Sequence, residues 1–302
     1  MYNLTIFTPT YNRINTLPRL YRSLCRQTDK SFQWLIIDDG STDNTAILVK
    51  EWMRSSDFSI TYCYQQNQGK MAAYNYALKK TTSELFFCVD SDDYLVDDAV
   101  RLINEKASDY HFLNKNIAGI VAYKGNDKGN LTGSTFPAGI QTSELRNLYK
   151  SGFTGETSLI FKTNIAKKYT FPIIATEKFV SEMYVYNQID DTYLLMIFPE
   201  VLTICQYQDD GYTRNLYNLI KNNPMGWALV YLQKADYECN IIQKLKKIAF
   251  AESYVMMSSK KARESAKNQG FYKKRVVNVI SLPFALLLYL RRILVHRDAY
   301  RK

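Results

Sequence analysis

The chain is poor in the residues that build compact metal or disulfide frameworks. Its five cysteines, Cys25, Cys63, Cys88, Cys205 and Cys239, are scattered and form no C-x-x-C pair. A zinc cluster and a disulfide scaffold are therefore not expected, and a reducing compartment suits the chain. The two histidines, His111 and His296, have no ligand spacing and mark no metal centre. Long apolar runs are lacking too. The opening MYNLTIFTPTYN has neither a basic leader nor an extended apolar stretch, so no signal peptide is expected and a strand starts at once. The stretch Val276–Leu290 counts 15 residues and is interrupted by Asn278, Ser281 and Pro283, short of the ~20 apolar residues that cross a bilayer. Excess charge is missing from most of the chain. From Lys260 to Lys302 there are 12 basic and 2 acidic residues, which accounts for the whole net charge of +10. The neutral body excludes a globally basic nucleic-acid binder.

What is present suffices for a sizeable core. The 302 residues are 46% hydrophobic and 23% charged, which fits one large domain or two abutting ones and argues against disorder. The first hundred residues alternate strand and helix. LTIF (Leu4–Phe7) is a short strand stopping at Thr8-Pro9-Thr10, and Leu17, Leu20, Tyr21 and Leu24 follow at helical spacing. FQWLIID is a continuous apolar strand of the kind covered on both faces. Leu48, Val49, Trp52 and Met53 form the next helical stripe, SITYCYQ a third strand, Met71–Lys80 a third helix, and ELFFCVD a fourth strand. This alternation predicts a doubly wound, mainly parallel α/β sheet. The middle offers strands AGIVAY and TSLIFKT, a helix in FVSEMYVYNQI, and one or two strands in LLMIFPEVLTICQYQ broken at Pro199; residues 216–268 read as helical.

In such sheets ligands bind beyond the carboxyl ends of the strands. Three polar clusters fall there: Thr8–Arg13, Asp38–Asp43 and Asp90–Asp93. Adjacent acids at the end of a buried strand cost stability unless something binds them. The D-x-D of Asp90 and Asp92 sets two carboxylates on one turn, suited to Mg²⁺ or Mn²⁺ with a substrate diphosphate completing the oxygen shell. Alone, a D-x-D is also what a solvated acidic turn looks like.

The order of TPTYNR, DDGSTDNT, NQGK and DSDD at successive strand ends resembles the family 2 glycosyltransferases of the GT-A fold, whose opening region carries a Pro-x-Tyr-Asn, a D-D-x-S-x-D, an N-x-G and a D-x-D element. GETSLIFKT, TEKFVSEMYVYNQI and YQDDGYTRN are similar to the second half of a bacterial subgroup associated with cell-surface polysaccharide, so the resemblance covers about two-thirds of the chain. It implies that Tyr11, beside Pro9, stacks on the nucleotide base, and that Asp39 accepts from the ring N–H of uracil, which cytosine lacks. Asp38 orients the loop and Asp43 caps the following helix. Asp90, with Ser91 next to it, meets ribose or metal, Asp92 ligates the metal and Asp93 stands behind them. Lys70 approaches uracil or phosphate, and Arg214 the diphosphate. Family 2 enzymes invert the anomeric centre with a carboxylate base, commonly the Asp of a Glu-Asp pair at a helix start. Here Ser181-Glu182 takes that place, making Glu182 the candidate base and Glu177 its competitor. No Q-x-x-R-W element and no series of membrane spans occur, which favours transfer of single sugars over processive synthesis.

Three regions are expected: 1–105 binding the nucleotide sugar, 106–215 the acceptor, and 216–302 a helical region with a basic tail. Lys273, Lys274 and Arg275 precede the short apolar stretch and Arg291 and Arg292 follow it, a layout for an interfacial helix on an anionic leaflet. The resulting expectation is a cytoplasmic enzyme, peripheral on the inner face of a bacterial membrane. It would act on a saccharide or lipid-linked saccharide acceptor with a UDP-sugar donor, and on no nucleic acid. Two other readings compete. A sugar-nucleotide pyrophosphorylase needs a Gly-rich loop after the first strand, where TPTYNR has no glycine. A non-catalytic module at a membrane leaves the acids dispensable.

Overall fold

The structure is a computed structural model that describes residues 3–206, 216–271 and 283–290. The chain divides into two compact units, Met1–Thr170 with Val185–Asp209, and Phe171–Tyr184 with Asp210–Lys302.

In the first unit the elements run β1 (Leu4–Thr10), α1 (Leu17–Cys25), β2 (Phe32–Asp38), α2 (Thr45–Ser55), β3 (Ser59–Tyr64), α3 (Lys70–Lys80) and β4 (Leu85–Cys88). β5 (Tyr94–Leu95), α4 (Ala99–Ala107), β6 (Ile117–Asn126), β7 (Thr142–Ser143), α5 (Leu145–Lys150), β8 (Thr157–Lys162) and α6 (Thr163–Ala166) follow. α7 (Met183–Asp190) then leads to β9 (Leu194–Cys205). The strands form one sheet in the order β3-β2-β1-β4-β8-β6-β9-β5, with β7 on β9. β1 to β4 pair in parallel, as the alternation predicts. β1 and β2 are buried along nearly their whole length, which is why they read as unbroken apolar runs. Under them Tyr21, Trp34, Trp52 and Phe58 pack as one aromatic group, with the rings of Tyr21 and Trp52 stacked at 4.2 Å.

Three local outcomes differ from the sequence reading. β1 does not stop at Phe7 but runs to Thr10, where it pairs with Asp38 of β2. β4 pairs with β1 only as far as Phe7, so the donor that Pro9 lacks breaks no rung on that side. β9 passes straight through Pro199. Its register against β6 jumps between Phe198 and Val201, and this bulge absorbs the proline. The helix drawn over FVSEMYVYNQI begins only at Met183.

Beyond β4 the sheet becomes mixed. β8 lies antiparallel between β4 and β6, while β6 and β9 are parallel. β8 therefore begins at the rim where β4 ends, bringing Glu156 and Thr157 to the polar end of the sheet. Gly119 permits this pairing, because a Cβ there would lie 2.0 Å from the carbonyl oxygen of Ile160.

The second unit is helical: α8 (Leu216–Asn222), α9 (Pro224–Asp236), α10 (Ile241–Met257) and α11 (Lys260–Asn268), with a further helix over 283–290. α9 and α10 pack through aromatic contacts, Tyr231 meeting Phe250 at 5.4 Å and Tyr254 at 5.6 Å. Asn240 and Ser259 cap α10 and α11 by accepting from the N–H groups of Gln243 and Ala262.

Candidate functional site

The polar rim starts at the ends of β1 and β2. Asn12 sits in the left-handed region at φ 51°, a conformation asparagine tolerates better than most residues. There its Oδ1 accepts from the N–H of Thr42 at 2.8 Å and of Asp43 at 3.3 Å, and its own N–H donates to Ser41 Oγ at 2.9 Å. The two loops are thus laced together. Asp43 accepts from the N–H of Ile14 and of Thr45, at the start of α2. Next to this junction the ring of Tyr11 is 47% exposed, so it is a surface platform and no core tyrosine.

Asp38 and Asp39 are both buried, and both accept several hydrogen bonds. Asp38 accepts from the N–H of Ser41 at 2.7 Å and from the hydroxyl of Tyr62 at 2.6 Å. Burial and that bond to Asp38 raise the Tyr62 hydroxyl above its ordinary value. Asp39 accepts from Gln65 Nε2, the N–H of Gln68 and the N–H of Gly69, at 2.7, 2.8 and 2.7 Å. It thereby holds the loop ahead of α3, where Gly69 at φ 93° makes the turn. A carboxylate offers about four acceptor positions, so Asp39 keeps room for one more donor.

Lys70 opens α3 and forks onto Asp90, with Nζ 2.6 Å from Oδ1 and 2.9 Å from Oδ2. Burial works against the Asp90 charge, but Lys70 and Lys124 hold its carboxyl below the usual range. Asp92 behaves in the opposite way: burial and the neighbouring Asp90 charge push it up. Ser91 between them is buried. The turn closes with the N–H of Asp93 donating to the Asp90 carbonyl at 3.1 Å.

Two basic residues that the sequence reading missed secure this turn. Arg19 of α1 donates to the backbone carbonyl of Asp92 and lies 5.0 Å from the centre of the Tyr94 ring. Lys124 of β6 donates to Asp93 Oδ2 at 2.8 Å and stands 3.6 Å from Glu156 Oε2. Burial raises the Asp93 carboxyl to about 6 despite Lys124. Burial likewise opposes the Lys124 charge, yet Asp93, with help from Asp90 and Glu156, holds its ammonium well above the ordinary lysine value. An isolated lysine in a strand pattern gives no sequence signal; only the mixed topology places it behind the acids.

Asp90 and Asp92 suit a divalent cation. Two carboxylates share one turn, one of them driven toward protonation by burial and by its neighbour, and a hard cation would relieve both effects. Among the described residues no group of three or more His, Cys, Asp or Glu side chains is placed to hold a metal ion.

The candidate bases belong to the second unit. Glu182 is half-buried just before α7. Glu177 is buried, and its two oxygens accept from the N–H groups of Met225 and Gly226, each at 2.8 Å. It caps the N-terminus of α9. In return, Asn223 Oδ1 accepts from the N–H of Lys178 and Phe179 at 2.7 and 3.0 Å. Gly226 is required because a Cβ would lie 2.3 Å from the Phe179 carbonyl oxygen. Arg214 lies outside the described residues.

The Glu177 clasp predicts a pH effect. Burial raises its carboxyl from 4.5 to about 7, against the two backbone donors. The folded state then binds the proton more tightly than the unfolded chain, so stability falls as pH rises through that window and levels off above it. Glu177→Gln should be about 1–3 kcal/mol less stable than wild type near pH 4.5 through an unpaired N–H, and should lack the fall. Urea denaturation across this pH range measures it, and parallel curves for the two proteins would contradict the assignment.

The chain is similar to several known proteins. A glycosyltransferase of Rickettsia conorii is 31% identical over 148 residues, 46% of this chain and 24% of the relative. The GalNAc(5)-diNAcBac-PP-undecaprenol beta-1,3-glucosyltransferase of Campylobacter jejuni is 26% identical over 174 residues, 57% of this chain and 55% of that protein. The first curated relatives are thus much longer, and the chain spans a quarter or less of their length. The crystal structure of S. aureus TarS 1-349 in complex with UDP-GlcNAc superposes with a TM-score of 0.59 at 18% identity, over 97% of this chain and 81% of that one. The architecture is the GT-A fold of these transferases. The family model described as Glycosyl transferase family 2 matches residues 5–166, more than half of the sequence and the region that carries Tyr11, Asp39, Lys70 and the D-x-D turn, and on that ground the chain belongs to glycosyl transferase family 2.

Proposed function

We propose that this glycosyltransferase moves a single sugar from a UDP-sugar to a saccharide or lipid-linked saccharide hydroxyl with inversion, in the making of a cell-surface polysaccharide. The observation that carries the reading is the placement of an exposed aromatic, a buried acid with one acceptor position left, and a paired-acid turn along one rim of one sheet. Tyr11, beside Pro9, stacks on the base, worth ~1–3 kcal/mol. Asp39 accepts from the uracil ring N–H. Asp90 and Ser91 face ribose, and Lys70 turns from Asp90 toward the diphosphate, with Arg214 as a second cation. Asp92 and Asp90 would hold Mn²⁺ or Mg²⁺, which would stabilise the charge that develops on the departing diphosphate. Glu182 takes the proton from the acceptor hydroxyl as it attacks the sugar C1 from the side opposite the leaving group. Glu177, with both oxygens committed to the start of α9, supports that segment.

Residues 1–105 serve the donor and 106–215 the acceptor, with 216–302 as a helical extension. The tail lies on the inner leaflet of a bacterial membrane, where a lipid-linked acceptor resides. Three facts support this. Phe284, Leu286, Leu287 and Leu290 of the helix over 283–290 are exposed, the sequence around that helix is strongly basic, and the Campylobacter relative is named for an undecaprenol-linked substrate. Among the described residues no helix is long and apolar enough to cross a membrane.

The test is the thermal midpoint in UDP with Mn²⁺. Binding at 100 times Kd adds about 2.7 kcal/mol of stability, which would appear as a rise in midpoint that EDTA reverses. Turnover then separates the enzyme from its rivals. Slow hydrolysis of a UDP-sugar supports transfer, release of pyrophosphate from UTP and a sugar phosphate supports a pyrophosphorylase, and no rise at all supports a non-catalytic module.

A further inference from the structure

The outer edge of β9 is covered only at its two ends. β7 pairs with it at Leu195 and Met196, and β5 at Thr203 and Ile204, so among the described residues no strand lies on that side of Phe198–Val201. Pro199 has no N–H to offer there, and the bulge shifts the register around it, so the gap does not suit an added peptide strand. It opens instead into a cleft of about 650 Å³, a size usual for ligand sites. Met196 and Ile197 of β9 lie at its base, between the end of α4 with the turn over 110–113 on one side and the loop 136–142 on the other. All of these belong to the first unit. The loop is firmly held. Tyr123 stacks on Phe136 at 4.1 Å, its hydroxyl accepts from the Phe136 N–H at 2.6 Å, and the Gln141 carbonyl accepts from the Ile197 N–H at 2.8 Å. The cleft is therefore formed before any ligand arrives.

The chemistry of the walls points to one kind of guest. Their charges are paired with each other, Lys106 with Asp109 at 3.3 Å. What is left is uncharged: among the described residues the side chains of His111, Asn116 and Gln141 line the cleft without a hydrogen-bond partner. A carboxamide sets donors beside an acceptor, which matches neighbouring sugar hydroxyls, whereas phosphate or carboxylate calls for a free cation. Ile140 and Pro199 are exposed at the edges and offer apolar surface to the C–H faces of sugar rings. The cleft also leads toward the acid turn. An adjoining groove shares Tyr123 and Pro199 with it and reaches Val96, three residues past Asp93. Asp97 and Asp98 of that groove are paired with Arg26 and Arg101, and its exposed Glu200 offers acceptor oxygens to hydroxyls. From Lys124, which bonds Asp93, back along β6 to Ile117 at the far end of the cleft is roughly 23 Å at the rise of a strand. That separation spans several sugar residues and sets the cleft apart from the reacting hydroxyl.

Resting on the saccharide-acceptor reading above, we propose that the cleft beside β9 is a second saccharide site, holding an uncharged stretch of the acceptor several sugar residues away from the hydroxyl that reacts. The test is binding of the whole chain, without UDP or Mn²⁺, to an array of mono- to hexasaccharides of glucose, galactose, mannose, rhamnose and the N-acetylhexosamines, with uronic-acid-bearing glycans beside them. Neutral trisaccharides or longer should bind at least about tenfold more tightly than monosaccharides, the scale of one or two added hydrogen bonds. Asn116→Ala combined with Gln141→Ala should weaken that binding about tenfold. The variant keeps its fold, because the carbonyls of both residues, which accept from Leu194 and Ile197, are untouched; an unchanged thermal midpoint reports this. Its UDP affinity should stay within about twofold. Absence of glycan binding would overturn the proposal, as would binding that the double variant leaves intact, that requires UDP and Mn²⁺, or that favours the uronic-acid glycans. UDP titration reads the donor site separately. UDP binding without glycan binding removes only this inference, whereas glycan binding without UDP binding leaves the cleft standing and removes the donor reading.

Discussion

Asp92→Asn should reduce kcat/KM about 10³-fold or more, the effect of losing several kcal/mol of metal-borne charge stabilisation, and should leave the unliganded protein at least as stable as wild type. The two halves of this expectation share one cause. Burial and the Asp90 charge both disfavour an ionised Asp92, so the free protein carries an electrostatic cost that a neutral side chain of the same shape removes. On the proposed reading, a cation and the diphosphate would cancel that cost when the donor binds. Thermal midpoints without ligand and initial rates with Mn²⁺ check the two halves separately. A variant with wild-type rates, or one markedly destabilised without ligand, would mean that Asp92 is held in place for the fold.

The second large effect is expected at Glu182. A positioned base contributes about 10²–10⁴-fold to rate, so Glu182→Gln should lower kcat by that factor. UDP affinity should hold, because Tyr11, Asp39, Lys70 and the D-x-D turn belong to other elements. The measurement is transfer rate beside UDP titration on the same preparation. Glu177 is the contrast. Both of its oxygens already accept backbone N–H groups at the start of α9, so Glu177→Gln should act through stability and its pH dependence. Wild-type transfer by the Glu182 variant would remove that residue from the role of base.

The parallel half of the sheet was legible because β1 and β2 are buried on both faces and so read as continuous apolar runs. The strand-end motifs were legible because this topology leaves polar residues only where the strands stop. The remainder depended on contacts distant in sequence. TSLIFKT is plainly a strand, but nothing in its residues says that it runs antiparallel between β4 and β6, and that orientation brings Glu156 to the rim. Glu177 reads from the sequence as a competing base because the helix it caps starts 47 residues later, at Pro224. Pro199 reads as a strand breaker because a bulge is a property of two strands and cannot be seen in one. Asp38 and Asp39 were marked as a pair. Their division of labour follows from donors on Tyr62 and on the loop 65–69, one strand further on.

The central claim is that the acids of the D-x-D turn exist to hold a divalent ion against a nucleoside diphosphate. Calorimetric titration of UDP into wild type and Asp92→Asn, each with Mn²⁺ and then with EDTA, addresses it most directly. The account predicts binding to wild type that weakens at least about tenfold in EDTA, and binding to the variant that is weak in both. Equal affinities across the four titrations would contradict it.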